Sequence, residues 1–226
     1  VALEKGTIVA TALRLLDEVG LDGLTLRRLA GELGVQAPAL YWHFKNKQEL
    51  LDAMAAAMMS AHTSRPTLTE PGKWREWIAG YAHADRALLN SYRDGAKLVA
   101  GTRPSSDLFA VVERAMAGLE AAGFSAGDAA RGLFTVSAYV AGFVLEEQAD
   151  RTRTDGEDGM PDMEEFRAAY PRLMAGLAEV GDPQGDLSFE GGLQLILDGM
   201  GLRLKAQDTL AAGADQVSQE EGETAR

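Results

Sequence analysis

Cysteine is absent from the 226 residues, and histidine is scarce, at three. The missing thiols exclude a disulfide frame, a thiolate zinc site and a cysteine nucleophile, and they fit a reducing compartment. His43, His62 and His83 stand far apart in sequence and form no metal-ligand spacing. No apolar run approaches the ~20 residues of a membrane span. The N-terminal stretch lacks the basic-then-apolar layout of a signal peptide, so the expected location is cytoplasmic, without membrane contact. No segment alternates with period two, no repeat occurs, and no glycine-rich strand-to-helix turn is present to cradle a phosphate. No nucleophile–base pair is legible either, so neither enzyme chemistry nor a cofactor is expected.

An excess of positive charge is missing as well. The formal net charge is −12, which argues against broad affinity for nucleic acid. The charge is unevenly placed, however. Residues 1–50 hold Lys5, Arg14, Arg27, Arg28, Lys45 and Lys47 against Glu4, Asp17, Glu18, Asp22, Glu32 and Glu49, a net of zero. The remainder therefore carries the whole −12. A neutral head with a few aimed cations can still dock on phosphates, while an acidic body discourages the wrong face.

What is present is helix after helix, in a chain long enough for one large domain or two small ones. The most informative stretch is 25–47. Thr25 is a good N-cap, Leu29, Ala30 and Leu33 form a buried face, and Gly34 is suited to end the helix. Val35 plugs the corner, and Pro38 suits the first turn of the next helix. Leu40 and Phe44, four apart, bury one side and leave Gln36, Ala37, Ala39, Tyr41 and His43 freer. This is a helix-turn-helix whose second helix is shaped to enter a major groove. An ordinary helical hairpin shares the small residues and the glycine turn. It does not account for Tyr41, Trp42 and His43 displayed beside Lys45 and Lys47.

Periodicity predicts the other helices. The first spans 4–19, ended by Gly20. The fourth begins after Asn46, with Glu49 completing a capping box, and runs to about Ser64. Further helices are expected at 73–92, 95–101, 105–122 and 125–150. Beyond a polar loop at 151–160, helices are expected at 162–180 and 188–212. The tail from Gly213 to Arg226 is expected to fray. His62 and His83 read more simply as surface or satisfied core residues than as ligand contacts. Glu146 and Glu147 suggest paired carboxylates, but adjacent helical residues diverge by about 100°.

The run Leu40-Tyr41-Trp42-His43-Phe44-Lys45-Asn46-Lys47, then Leu50-Leu51-Asp52-Ala53, resembles the TetR family of repressors. Tyr92-Arg93-Asp94-Gly95-Ala96-Lys97, Gly101-Thr102-Arg103-Pro104 and Val144-Leu145-Glu146-Glu147-Gln148 are similar to its tetracycline-repressor branch, over roughly residues 4–210. The resemblance implies an all-α fold. A three-helix DNA-binding head at 1–47 precedes a ligand-binding and dimerisation domain at 48–212, followed by a flexible tail at 213–226. It implies a homodimer through the helices near 125–150 and 188–212, with Leu193 and Leu197 as expected interface residues. Its partners would be palindromic double-stranded operator DNA and a small-molecule effector that releases it. Against this stands a helical carrier or enzyme with a non-DNA-binding head.

Thr25, Arg27, Gln36, Ala37, Pro38, Ala39, Tyr41, Trp42, His43 and Lys47 are the expected DNA-facing residues. The expected ligand lining comprises His62, Tyr81, Asp85, Val99, Thr102 and Arg103, together with Pro104, Leu133, Ala138, Glu146, Leu173 and Leu177. The resemblance also carries departures. The branch's magnesium-ligating histidine in the short helix corresponds to Val99 here, and an aliphatic side chain ligates no metal. The ring-gripping polar positions fall on Thr63, Tyr81 and Ala115. Ala37 and Ala39 replace a Gln and a Thr that meet bases, so a different operator is expected. The expected effector is an amphipathic, polyketide-sized molecule bound without metal.

Overall fold

The computed structural model describes residues 3–60, 67–151 and 163–224, with side chains described only as far as 207. Among the described residues the architecture is all-α. A three-helix head comprises α1 (Lys5–Gly23), α2 (Leu26–Glu32) and α3 (Ala37–Tyr41), and α4 (Lys47–Met59) leads from it to the body. A 3-10 turn at Pro71–Lys73 then opens α5 (Trp74–Asn90), followed by α6 (Gly95–Ala100), α7 (Ser106–Ala121) and α8 (Ala126–Asp150). Beyond these lie α9 (Met163–Ala169), α10 (Pro171–Val180) and α11 (Asp186–Thr224). No described helix is long and apolar enough to cross a membrane.

One apolar core runs through head and body. Ile8, Leu15, Leu16, Leu29, Leu40, Phe44 and Leu50 knit α1 to α4 together, and Leu119, Val136, Val140, Phe189 and Leu197 continue it below. Burial of each large aliphatic side chain contributes about 1.5–3 kcal/mol. The head, whose α2 and α3 have only 7 and 5 residues, depends on these contacts. In the body α8 is the hub, packing against α5, α6, α7 and α11.

Local chemistry sets the boundaries. The N–H of Arg28 donates to the Thr25 hydroxyl at 3.2 Å, capping α2. At the other end Gly34 adopts φ 65°. There the N–H of Val35 returns to Ala30 O at 3.0 Å and that of Gly34 to Gly31 O at 3.1 Å. This pair of bonds is a Schellman closure, which needs a left-handed residue in that place. Asn46 caps α4 by accepting from Glu49 N at 2.9 Å. The expected reciprocal bond shifts by one residue: the Glu49 carboxylate accepts from Lys45 N at 2.7 Å.

Several expected boundaries are corrected. Gly20 breaks α1 with φ 70° and ψ 173°, but one more turn follows it, to Gly23. The helix expected at 162–180 divides at Tyr170, with φ −127° and ψ 57°. Pro171 causes the break, since its ring disfavours a helical residue before it. The last helix does not stop at residue 212 but continues to Thr224. One glycine is a weak stop amid Ala, Gln and Glu, which are good helix formers. The α4 helix closes at Ser60, and the remainder of its expected span lies outside the described residues, as does the loop expected at 151–160 apart from Arg151.

Leu193 and Leu197 are not available to a second subunit. They are 0% and 1% exposed, inside the protomer core. The outward residues of the same two long helices are Phe134, Leu187, Leu195 and Leu202, 63–84% exposed. Helical phase explains the correction: 193 and 197 share one face, and 195 and 202 point away from it.

A single buried amide holds the α5–α6 corner to α8. Gln148 Nε2 donates to Leu89 O at 2.9 Å and to Tyr92 O at 3.1 Å, and its Oε1 accepts from Ala96 N at 3.2 Å. Replacing Gln148 by Ala strands two buried main-chain groups, Leu89 O and Ala96 N, while Tyr92 O keeps its bond from Gly95 N at 3.1 Å. The expected loss is about 2–3 kcal/mol, seen as a fall of several degrees in melting temperature by circular dichroism. A Gln148→Glu chain, which keeps the acceptor but lacks the donor, is expected to fall as well.

Candidate nucleic-acid interface and effector cavity

The head presents the tip of α3 to solvent. Trp42 is 90% exposed and Tyr41 54%, beside half-buried His43 and exposed Lys45 and Lys47. Leu40 and Phe44 anchor the tip from beneath, at 1% and 2% exposure. Gln36 is the N-cap of α3 and Pro38 stands in its first turn. Ala37 and Ala39 are partly buried, while Thr25 and Arg27 are exposed at the start of α2. The ten residues expected to face DNA thus lie on α2, α3, their N-caps, the turn that follows and the first residue of α4. Arg27, Arg28, Lys45 and Lys47 have no carboxylate partner among the described residues. Arg14, by contrast, is tied to Glu18 at 2.5 Å and Glu32 at 2.8 Å, and these carboxylates hold its guanidinium above the ordinary value, Glu32 first.

The body contains a cavity of about 60 Å³ between α4, α6 and α7. Its wall brings together Val99, Thr102, Arg103 and Pro104 of the expected lining, with Met59 from α4 and Leu108 from α7. The other expected residues lie elsewhere. Asp85 and Leu133 are buried, and Tyr81 is half-buried against Trp77. Ala138 and Glu146 are exposed on α8. Leu173 and Leu177 are 50% and 36% exposed on α10 and do not reach the cavity within the protomer. His62 lies outside the described residues. His83 faces Glu190, Nε2 to Oε2 3.1 Å, on the body surface.

Sequence reasoning missed the polar links around α6. Asp94 sits in the left-handed region, φ 58°, and its Oδ2 accepts from Leu21 N at 2.7 Å. Gly20 permits this, because a Cβ there would lie 2.8 Å from Asp94 Oδ2. The N–H of Arg93 donates to Asp17 Oδ1 at 2.9 Å, its Nη1 to Glu18 O at 3.1 Å, and Lys97 pairs with Asp22 at 3.1 Å. At the far end of α6, Gln48 Nε2 donates to Gly101 O at 2.9 Å and Arg103 N to Asp52 Oδ1 at 3.3 Å. The Asp94-Gly95 pair was the available signal, since Asp and Gly together mark a turn. Glu147, not Glu146, is the buried carboxylate: it accepts from Arg86 at 2.5 Å and Asn90 at 2.7 Å. Those bonds, with Asp186 also on Arg86, hold the guanidinium above its ordinary value, Glu147 first.

A cationic, aromatic helix-turn-helix tip on a head, wired through α6 to a body with a cavity, defines a ligand-responsive DNA-binding regulator. Comparison with known proteins identifies which class. Residues 8–54 match the model of the bacterial regulatory proteins, tetR family, and residues 65–204 that of the tetracyclin repressor-like C-terminal domain. The chain is 42% identical over 201 residues to the tetracycline repressor protein class A from transposon 1721 of Escherichia coli, covering 89% of this chain and 92% of that one. It is similar to TetR(class A) in complex with 5a,6-anhydrotetracycline and magnesium, at 40% identity and TM-score 0.66, covering 89% and 99%. It is also similar to BioQ with its double-stranded DNA operator, at 34% identity and TM-score 0.63, covering 88% and 98%. The chain belongs to the tetR family: it is a ligand-responsive, DNA-binding transcriptional repressor and not an enzyme. The carrier or enzyme alternative is set aside.

The Asp94 link yields a local test. Asp94→Ala removes the acceptor for Leu21 N and disfavours the left-handed backbone, so protection of the Leu21 amide from hydrogen exchange should fall at least about tenfold, a loss of some 1.4 kcal/mol. Asp94→Asn keeps a side-chain acceptor and tolerates the same φ, so most protection should remain.

Proposed function

We propose that this repressor acts in the cytoplasm as a homodimer, binds a palindromic operator with one head per half-site, and releases it when a small amphipathic molecule fills the α4–α6–α7 cavity. The head ends near Lys47, where α4 starts, and the regulatory domain runs on to about residue 212. The observation that carries the DNA reading is the exposed Tyr41–Trp42 tip beside cations that no described carboxylate neutralises. Lys47 would meet a phosphate, and Arg27 a phosphate or a base edge. Ala37 and Ala39 offer only methyl groups, suited to thymine methyls.

Dimerisation is supported by the outward apolar faces of α8 and α11. Phe134, Leu195 and Leu202 stand in solvent in a single protomer, and a second copy would cover them as a four-helix bundle. Leu173 and Leu177, exposed on α10, would line an effector site only by packing onto another protomer. A cavity of about 60 Å³ is smaller than the roughly 300 Å³ at which drug-sized pockets begin. Effector entry therefore widens it, which pushes on α4 and α6 and hence on the head.

The magnesium of the class A relative's complex does not fit this cavity. Among the described residues no group of three or more His, Asp or Glu converges to hold a metal. The wall offers an aliphatic Val99 and the cation Arg103, and a hard dication needs oxygen ligands with negative charge.

Two outcomes follow. Lys47→Ala should weaken binding to every DNA sequence alike and shallow the log–log salt slope by about one unit in anisotropy titrations. A change of sequence preference with an intact slope would refute the phosphate role. Leu195→Asp with Leu202→Asp should give a folded monomer by light scattering that no longer shifts operator DNA. Leu193→Asp should instead cost the fold itself, by several kcal/mol.

A further inference from the structure

We infer that the effector of this repressor is an organic acid, taken without a metal, whose anionic end is held by Arg103 at the mouth of the α4–α6–α7 cavity. The inference rests on the effector reading above and narrows it to a chemical class. Ala55, Ala56 and Met59 on α4, Val99 on α6 and Leu108 on α7 make an apolar wall. The polar lining comes from the short connector between α6 and α7, as Thr102, Arg103 and Ser105. The Thr102 hydroxyl donates to Val99 O at 3.0 Å. Ser105 Oγ accepts from Leu108 N at 3.3 Å, which leaves its own O–H to donate.

The backbone of Arg103 is committed to Asp52, but its guanidinium has no ion-pair partner among the described residues. Elsewhere in the body Arg75, Arg86, Arg131 and Arg203 each hold a carboxylate, and of the body arginines without one among the described residues only Arg103 lines this cavity. A free guanidinium beside an apolar wall favours a carboxylate and repels a dication, and it can grip two carboxylate oxygens at once. The positive end of the α7 dipole adds to the same sign. The opposing charges nearby are Asp107 in the first turn of α7, which is exposed, and Asp52. Asp52 already accepts from Gln48 Nε2 at 2.9 Å and from the Arg103 amide. A volume of about 60 Å³ has room for a few waters, the size of an acid group and its first carbons. The acid end therefore enters first, and the apolar remainder follows along the wall.

The test uses a matched pair of probes, 2-naphthoate and its neutral amide, titrated calorimetrically into the full chain in chelator. The acid should bind at least about tenfold more tightly than the amide, the worth of one partly desolvated ion pair. Arg103→Gln should abolish that preference while operator binding without ligand stays within about threefold, and Arg103→Lys should restore part of it. Val99→Phe, which fills the cavity without touching charge, should weaken both probes together. Equal affinity for acid and amide, an acid preference that survives Arg103→Gln, binding that requires magnesium, or no binding of either probe each overturns the inference. Ligand-free operator binding by the parent chain separates the two readings. Its absence would count against the repressor itself, whereas its presence with charge-blind ligand binding sinks only the acid.

Discussion

The regulatory design depends on one buried amide. Gln148 stands on α8, the hub of the body, and holds three main-chain groups of the α5–α6 corner. Tyr92 O also accepts from Gly95 N at 3.1 Å, but Leu89 O and Ala96 N rely on Gln148, and an unsatisfied buried group costs about 1–3 kcal/mol. The corner is therefore fixed to α8 rather than free to drift. Asp94, two residues before Ala96, then carries the position of the corner onto Leu21 in the head. The same short helix ends at Gly101, whose carbonyl is held by Gln48 on α4. So α6 touches the body and the head at one end and α4 at the other. A displacement of α6 against α8 cannot occur without loading α1 and α4.

The electrostatics follow the same division. Several body cations are spent within the fold: Arg86 is sandwiched against Phe143 and Phe189 and tied to Glu147 and Asp186, and Arg131 and Arg203 share Asp128. Those two arginines and Ser125 keep the Asp128 carboxyl below its ordinary range, Arg131 first. The head leaves Arg27, Lys45 and Lys47 uncommitted. Net charge would therefore mislead if read for the chain as a whole, because what DNA meets is set by which cations lack an internal partner.

The head was legible in the sequence because its signals are local. Thr25, Gly34, Pro38 and Asn46 each act through bonds to residues within five positions, and Leu40 and Phe44 declare a buried face by spacing alone. The body was legible as helices and less so as a site. Spacing places Leu193 and Leu197 on one apolar face but cannot say whether that face meets its own core or another chain, and here it meets α8. Asp94, Gln148 and Arg86 act across 52 to 100 residues of sequence, where no periodicity reaches. Tyr170 shows a third limit. Pro171 can begin a helix as readily as it can interrupt one, and the two readings differ only in whether the preceding residue stays helical.

On the proposed reading, these links also explain why a modest ligand would suffice. Moving an equilibrium between operator-competent and released states from 1:99 to 99:1 takes about 5.5 kcal/mol of differential affinity, which two sites would share in the proposed dimer. Each cavity then has to supply less than 3 kcal/mol, the scale of one good charge-assisted contact plus a little apolar burial. Nothing in the head has to unfold. The cavity wall includes Val99 of α6 and Ala55 and Met59 of α4, so whatever widens it separates the two helices that Gln48, Asp52 and Asp94 hold in register with α1. On the proposed reading the effector would compete with those few hydrogen bonds rather than with DNA, and that competition would fall between α6 and α4, beside the head.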